Sequence, residues 1–204
     1  KRNDTIIYDE FIHISIREGI RLSHSKSYSF KHNSIIDLKS KIKNSIGEIF
    51  IAVESIYSMD GDEAPLQELD DLCNNYGYHL IVDEAHSTGF NPYGSYSFCD
   101  NLGIIPFAIL HTFGKAMGCH GAIWISSNSV KNYLINFCRA FIYTTALPPH
   151  SIAMMLASIY LLKEEIRLNQ ILTEKIILFK NIADELKINS LIPSNSQIQS
   201  IIIP

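Results

Sequence analysis

Two short segments of this chain place chemically useful side chains directly after strand-like sequences. Asp83 follows the run at residues 78–82, and Lys115 lies in a glycine-flanked loop after the run at residues 107–110. Both runs are apolar and rich in β-forming residues, so they predict buried parallel strands. Ligands of open α/β sheets bind at the carboxyl ends of the strands. We therefore expect Asp83 and Lys115 to lie at one binding site.

An acid from one strand end and a lysine from another are what pyridoxal phosphate requires. This cofactor takes a Schiff-base lysine on its aldehyde and a carboxylate that keeps its pyridine nitrogen protonated. Either residue alone is weak evidence. A lysine between glycines is usually a solvated loop residue, and an aspartate after a strand is often a helix cap. The pair, with its flanking sequences, favours the cofactor.

The elements that must position these residues follow from the hydrophobic pattern. We expect strands at 6–8, 25–34, 49–54, 78–83, 107–112, 122–126 and 141–144, and helices at 12–22, 35–46, 65–75, 128–138, 149–166 and 169–187. Asp9 and Asn169 are interpreted as helix caps, and Gly77 as the end of the third helix. The alternation of strands and helices predicts an α/β domain with a mostly parallel sheet.

The composition excludes several classes of protein. The 204 residues are 47% hydrophobic and 19% charged, which is typical of a chain that buries a large core. A net charge of −4 argues against a nucleic acid partner. Since no stretch approaches the roughly 18 apolar residues of a membrane helix, we expect no membrane association.

The cysteines predict neither a disulfide framework nor a metal site. The four of them, Cys73, Cys99, Cys119 and Cys138, lie far apart without a C-x-x-C pair or metal-ligand spacing. This pattern indicates free thiols in a reducing, cytoplasmic setting. Cys119 follows the lysine loop closely, but we interpret it as a small packing residue.

Five segments of the chain carry a resemblance to a known family. They are DEFIHISIREG at 9–19, ESIYSMDGD at 54–62, VDEAHSTG at 82–89, TFGKAMG at 112–118 and FIYTTALPP at 141–149. In this order they resemble the α-oxoamine synthases, which are fold-type I pyridoxal-phosphate enzymes. The resemblance implies a three-layer large domain with a mostly parallel sheet. Residues 1–188 are expected to be its central part and 189–204 the start of a small C-terminal domain that is largely missing.

The resemblance also implies roles for four site residues. Lys115 is expected to bind the cofactor covalently and, once displaced by substrate, to take the α-proton. Asp83 would pair with the pyridine nitrogen, His86 would lie near the phenolic oxygen, and His13 would stack on the ring. The alternative for His86 is a loop histidine bonded to the backbone.

Further residues are assigned by the same resemblance. Ser58 would contact the cofactor near its phenolic oxygen, and Thr112 would bind the phosphate. Thr144 and Thr145 would reach the phosphate pocket of the neighbouring subunit in a homodimer, or else form an ordinary turn. Glu54 resembles an acid near the site whose role is undefined.

The resemblance implies a class of reaction and leaves the substrates open. Family members condense an amino acid with an acyl thioester and release carbon dioxide. Residues 141–149 look most like the branch of biotin synthesis, which joins L-alanine to a pimeloyl thioester carried by coenzyme A or a carrier protein. Residues 82–89 also resemble the sphingoid-base branch, and 2-amino-3-oxobutyrate ligation is a further alternative. The segment FNPYG at 90–94 is bulkier than usual, which leaves the acyl donor open.

One alternative lies outside the enzymes. Non-catalytic subunits with this fold act as scaffolds, and they typically lack the cofactor lysine. The presence of Lys115 argues directly against a scaffold.

Overall fold

The computed structural model describes residues 2–90 and 97–203, and six strands in this part form a sheet of order β2-β1-β3-β4-β5-β6. The strands are β1 (Thr5–Asp9), β2 (Lys26–Phe30), β3 (Ile49–Glu54), β4 (His79–Asp83), β5 (Ala108–Thr112) and β6 (Ala122–Ser126). The helices are α1 (Ile14–Leu22), α2 (Ile35–Lys43), α3 (Leu66–Tyr76), α4 (Phe98–Leu102), α5 (Asn128–Phe137), α6 (Arg139–Ile142), α7 (Pro149–Glu164) and α8 (Ile166–Glu185).

The sheet is parallel from β2 to β5, and only β6 runs antiparallel to its neighbour β5. The register pairs Glu54 with Asp83 and Asp83 with Leu110. Because parallel strands end on the same side, the carboxyl ends of β1, β3, β4 and β5 lie along one edge of the sheet. The predicted α/β architecture with a mostly parallel sheet is confirmed.

The core lies between the central strands and the helices that pack on them. β3 is buried along nearly its whole length, as expected for a parallel strand covered on both faces. Fully buried side chains of the main cluster include Ile7, Phe30, Leu38, Ile51, Val53, Tyr57, Leu66, Leu69, Leu80 and Val82. This cluster holds the strand ends in a rigid frame.

Two helix ends show how the local sequence sets the boundaries. Gly77 ends α3 with a left-handed conformation, φ 71°, as predicted. The cap expected at Asp9 is wrong. His13 is the N-cap of α1 and accepts the backbone N–H of Ser15, whereas Asp9 is the last residue of β1.

Two other predictions also fail. The expected strand at 141–144 is instead the short helix α6 followed by a turn. Asn169 does not cap the last helix, because α8 already begins at Ile166, after a break at Glu165 with φ −104° and ψ 56°. The unusual segment at 91–94 lies outside the described residues.

The chain leaves apolar surface open on its C-terminal half. Ile123, Trp124 and Ile125 of β6 are 40–46% exposed, and α7 carries no buried residue although its sequence is largely apolar. Within residues 2–90 and 97–203, no helix has the length and apolar character needed to span a bilayer.

Candidate functional site

The candidate site is built at the edge where the parallel strands end. Glu54 and Asp83 are the last residues of β3 and β4, and both are buried, with 2% and 5% of their surface exposed. Thr112 ends β5, and Lys115 follows it in the Gly114–Gly118 loop. The sheet therefore brings together residues that are distant along the chain.

The closest contact at the site joins Lys115 and His86. The Lys115 Nζ atom lies 2.7 Å from His86 Nε2, within hydrogen-bonding distance. Burial, followed by the charges of Lys115 and His13, lowers the pKa of His86 to about 4. The imidazole is therefore neutral near pH 7, and its Nε2 accepts a hydrogen bond from the amine.

Lys115 stands in an environment with opposing electrostatic effects. Partial burial lowers the pKa of its amine, while the carboxylates of Asp83 and Glu54 act in the opposite direction. The net effect is a lowered pKa. Because only a neutral amine is nucleophilic, this shift suits a lysine that attacks an aldehyde.

The two carboxyl groups differ in how they are stabilised. Burial raises the pKa of Asp83, and the backbone N–H of Ala85, 2.8 Å from Oδ1, works against that shift together with Lys115. Burial and the nearby Asp83 raise the pKa of Glu54 to about 7. When two buried acids lie side by side, a negative charge on both is unfavourable. A cationic group bound between them would relieve this repulsion.

His13 and Ser58 border the same group of residues. The backbone N–H groups of both favour the ionised form of Glu54, and the His13 ring acts electrostatically on Asp83 and His86. The ring of His13 is exposed and its Nδ1 accepts from Ser15 N at 3.2 Å. It therefore stands at the rim of the site.

Thr112 provides a test of whether the site fits a phosphorylated cofactor. Its Oγ1 is buried and has no hydrogen-bond partner among the described residues. One oxygen of Glu54 is in the same condition. Buried polar atoms are nearly always paired, so such atoms at a strand edge call for a ligand. A hydroxyl, an amine and a buried carboxylate together fit pyridoxal phosphate.

Thr144 and Thr145 are not brought to this group of residues. Both are exposed in the turn after α6, and the Thr144 hydroxyl donates to the carbonyl of Ala140 in that helix. Their exposure leaves them accessible to another chain. Their expected role across a subunit interface stays a prediction.

One network beside the site was not foreseen. His32 donates from one ring nitrogen to Asp9 at 2.9 Å and from the other to Asp62 at 2.8 Å. Burial opposes protonation, but these two bonds outweigh it and raise the pKa of His32. The network joins the end of β1 to the loop after β3. Its partners are 23 and 30 positions away, so no local pattern could reveal it.

Asp60 and Asp62 also lie close enough to His32 to offer ligand atoms within 4.8 Å of one another. Both ring nitrogens of His32 are already bonded to carboxylates, so we interpret the group as an ion network rather than a metal site.

Glu84 is a second residue whose importance the sequence did not reveal. It is fully buried, and its carboxylate accepts from Ser97 Oγ and from the backbone N–H groups of Phe98 and Cys99, all within 2.9 Å. These bonds fix the start of α4 against the end of β4. The signal was present as an acid next to Asp83, but its partners lie 13 to 15 positions later.

Comparison with known proteins places this geometry in a family. The model of the family described as aminotransferase class I and II matches residues 1–202. The chain belongs to this family. It is similar to the 8-amino-7-oxononanoate synthase of Emericella nidulans, with 42% identity over 79% of this chain and 43% of that protein. A putative 8-amino-7-oxononanoate synthase of Thermodesulfovibrio yellowstonii is 39% identical over 80% of this chain and 43% of that protein.

Two solved structures have the same fold. A variant of serine palmitoyltransferase from S. paucimobilis, with a bound PLP–myriocin aldimine, aligns with a TM-score of 0.91 and 25% identity over 98% of this chain and 53% of that chain. The 8-amino-7-oxononanoate synthase of Francisella tularensis aligns with a TM-score of 0.84 and 30% identity over 100% of this chain and 60% of that chain. The expected resemblance to the α-oxoamine synthases and their fold is confirmed. The chain spans less than half the length of the curated relatives.

Proposed function

We propose that this chain forms part of a pyridoxal-phosphate enzyme that joins L-alanine to a pimeloyl thioester. The product would be 8-amino-7-oxononanoate, an intermediate of biotin synthesis. The observation that carries the proposal is the Lys115 amine, bonded to a neutral His86 and facing the buried carboxyl groups of Asp83 and Glu54. The relatives named as 8-amino-7-oxononanoate synthases support the choice of reaction.

The chain offers groups for each part of the cofactor. Lys115 would take the aldehyde, Asp83 the pyridine nitrogen and Thr112 the phosphate, with His13, His86 and Ser58 around the ring. When bound, pyridoxal phosphate supplies an electron sink for the bonds at the α-carbon of the amino acid. The Thr112 hydroxyl and one Glu54 oxygen, which have no hydrogen-bond partner in the described part of the chain, support the fit.

The residues of this chain would then bind the cofactor, orient the reacting amine and transfer protons. Asp83 would hold a positive charge on the ring nitrogen. Burial raises the pKa of Asp83, and the Ala85 N–H, nearby cations and a charged ring nitrogen would each favour its ionised form. The lowered pKa of Lys115 suits the group that takes the α-proton, and His86 Nε2 would orient the amine. The condensation forms a carbon–carbon bond at the thioester carbonyl, releases the thiol and loses the carboxylate of alanine as carbon dioxide.

A second candidate is a sphingoid-base synthase with another acyl donor. The alignment with serine palmitoyltransferase over 98% of the chain favours it. The identity of 25% to that protein, against 42% to the Emericella synthase, favours the first candidate.

We also propose that the complete protein is a homodimer whose interface includes Thr144 and Thr145. The supporting observation is α7, which is largely apolar yet carries no buried residue, since such helices are normally buried. We further propose that a domain boundary lies near residue 188 and that the complete protein is cytoplasmic.

A substrate screen of the full-length protein tests the proposed reaction. L-alanine, L-serine and glycine would each be offered with pimeloyl and palmitoyl thioesters, and thiol release would be measured with a chromogenic disulfide. We expect turnover with L-alanine and pimeloyl thioester. Preference for serine with palmitoyl thioester would instead support the second candidate, and no thiol release with any pair would contradict both.

A further inference from the structure

Residues 194–200, which we name the strap, cross two loops that carry site residues. Ser194 Oγ donates to the carbonyl of Gly61 at 2.7 Å, and Ser200 Oγ donates to the carbonyl of Met59 at 2.5 Å, both in the loop after β3. Gln197 Nε2 donates to the carbonyl of His86 at 2.6 Å, in the loop after β4. The strap therefore joins the loop of Ser58 to the loop of His86.

The strap is packed as well as hydrogen-bonded. Ile198 lies against a buried cluster that contains Ile56 and Phe90, one residue from each loop region. Gly61 adopts φ +72°, and a Cβ there would come within 2.3 Å of the Ile198 carbonyl oxygen. Only glycine permits so close an approach.

A lysine from α8 holds the other side of the strap. Lys180 Nζ donates to the carbonyl of Ser194 at 3.1 Å and to Asn195 Oδ1 at 3.0 Å. The strap is therefore fixed from both sides. It can impose a position on the loops that it contacts.

Gln197 makes the contact nearest to the proposed chemistry. Because its partner is a carbonyl oxygen, the side-chain NH₂ must face His86. Its Oε1 is buried without a partner among the described residues. An unpaired buried oxygen costs free energy, so the orientation of this amide is set by the bond to His86.

We propose that Gln197 is a positioning residue, which fixes the main chain of His86 and so holds the imidazole against Lys115. The path is short, since the Gln197 amide bonds the His86 carbonyl and the His86 ring bonds the Lys115 amine at 2.7 Å. This inference rests on the proposed function, because it concerns the same lysine and histidine.

The test follows the ionisation of His86 in the full-length, cofactor-free protein. Protein with ¹⁵N-labelled histidine is titrated by NMR, and a His86→Gln variant identifies the resonance. Gln197→Met keeps the length of the side chain and removes the donor. Released from the strap, His86 gains solvent and moves away from the positive charges of Lys115 and His13. We expect its pKa to rise from about 4 toward 6.5.

Gln199 is a matched control on the same strap. Its Nε2 donates only to the carbonyls of Ser194 and Ser196, within the strap itself. Gln199→Met should leave the titration of His86 unchanged. Gln197→Asn keeps the amide but is one methylene shorter, so it should raise the His86 pKa as Gln197→Met does. Gln197→Asn replaces Gln197→Met in the test if the methionine variant does not fold.

The outcomes separate this inference from the proposed function. An unchanged His86 titration in both Gln197 variants, or an equal shift in Gln199→Met, would overturn the positioning role. Reduction of wild-type protein with borohydride and pyridoxal phosphate, followed by peptide mass analysis, tests Lys115 independently. A failure to label Lys115 would contradict the proposed cofactor, while a shift of the His86 pKa would still support the strap contact.

Discussion

The Lys115 amine combines a neutral hydrogen-bond acceptor with two nearby carboxyl groups, and these effects act against each other. Burial lowers its pKa, and Asp83 and Glu54 limit how far it falls. A lysine balanced in this way loses its proton more readily than an exposed surface lysine does. The residue-scale predictions therefore concern Lys115 and the acid that faces it.

Lys115→Ala should abolish the proposed covalent attachment. We expect turnover to fall by several orders of magnitude, because both the covalent attachment and the proton acceptor are lost. Borohydride reduction in the presence of pyridoxal phosphate should give no adduct in this variant. Lys39→Ala, at an exposed position of α2, is the control and should behave as wild type. Near-normal turnover of Lys115→Ala would remove the central claim.

Asp83→Asn should preserve the fold and lose most of the activity. The amide can still accept the Ala85 N–H, but it cannot hold a positive charge on the ring nitrogen. We expect a loss on the order of 100- to 1000-fold, as when one preorganised electrostatic partner is removed. The measurement is exchange of the α-proton of L-alanine in deuterated water. Unchanged exchange would mean that the partner of the ring nitrogen lies elsewhere.

At the residue scale, the sequence indicated the residues that follow strand ends and missed those that act across loops. Asp83 and Lys115 stand directly after apolar runs, and their flanking sequences resemble a family. Glu84 lies in one of these segments, but nothing in the sequence indicates its partners, and Gln197 lies outside all five segments. Their partners are set by tertiary packing, and the bond from Gln197 to His86 spans 111 positions.

Among the elements, β4 and α4 are joined by a single buried carboxylate. Glu84 accepts three bonds of 2.8–2.9 Å from the first residues of the helix, and Asp83 stands next to it. The position of α4 is thus fixed to the strand that carries the proposed cofactor partner. Loss of this connection should affect stability before it affects chemistry.

Glu84→Gln should destabilise the protein by about 1–3 kcal/mol, because the new NH₂ faces backbone donors and leaves a buried group unpaired. Glu68→Gln, on the exposed face of α3, should change the free energy of unfolding by less than about 0.5 kcal/mol. The free energy of unfolding of both variants is measured by urea denaturation, and the comparison requires that their m values be equal. Equal stability of the two variants would show that the capping bonds of Glu84 contribute little.

The helices and strands were predicted correctly where the hydrophobic periodicity and the residues that cap or end an element indicated the same boundaries. The failures have physical reasons. Residues 141–144 combine aromatic and β-branched side chains, but a strand needs a partner, and α6 forms there instead. Asn169 resembles a cap, yet the break between α7 and α8 falls at Glu165, where backbone angles rather than side-chain type end the helix.

For the whole molecule, the main unexplained surface is the exposed apolar face of β6, α6 and α7. Phe141 and Tyr143 are 64% and 79% exposed beside Thr144. Large apolar surfaces of this kind are normally covered by another chain or domain. The proposed homodimer would cover the part around Thr144 and Thr145.

Phe141→Asp should weaken this association, because a charge buried at an apolar interface is costly. We expect light scattering after size-exclusion chromatography to give a dimer for the full-length wild type and a shift toward monomer for the variant. Leu22→Asp, 84% exposed on α1, should remain dimeric. A monomeric wild type would contradict the interface, and would leave the cofactor assignment standing.

The order of the sheet has a consequence for how the chain folds. Each neighbouring pair from β2 to β5 is parallel, so each is joined by a crossover and none by a hairpin. Contacts that are distant in sequence form slowly, because the entropy of closing the loop is lost before the contact is made. Glu54, Asp83 and Lys115 can meet only after β3, β4 and β5 are aligned. The binding site for a ligand that contacts all three residues is therefore absent in the early stages of folding. Its binding would slow unfolding and leave the rate of folding almost unchanged.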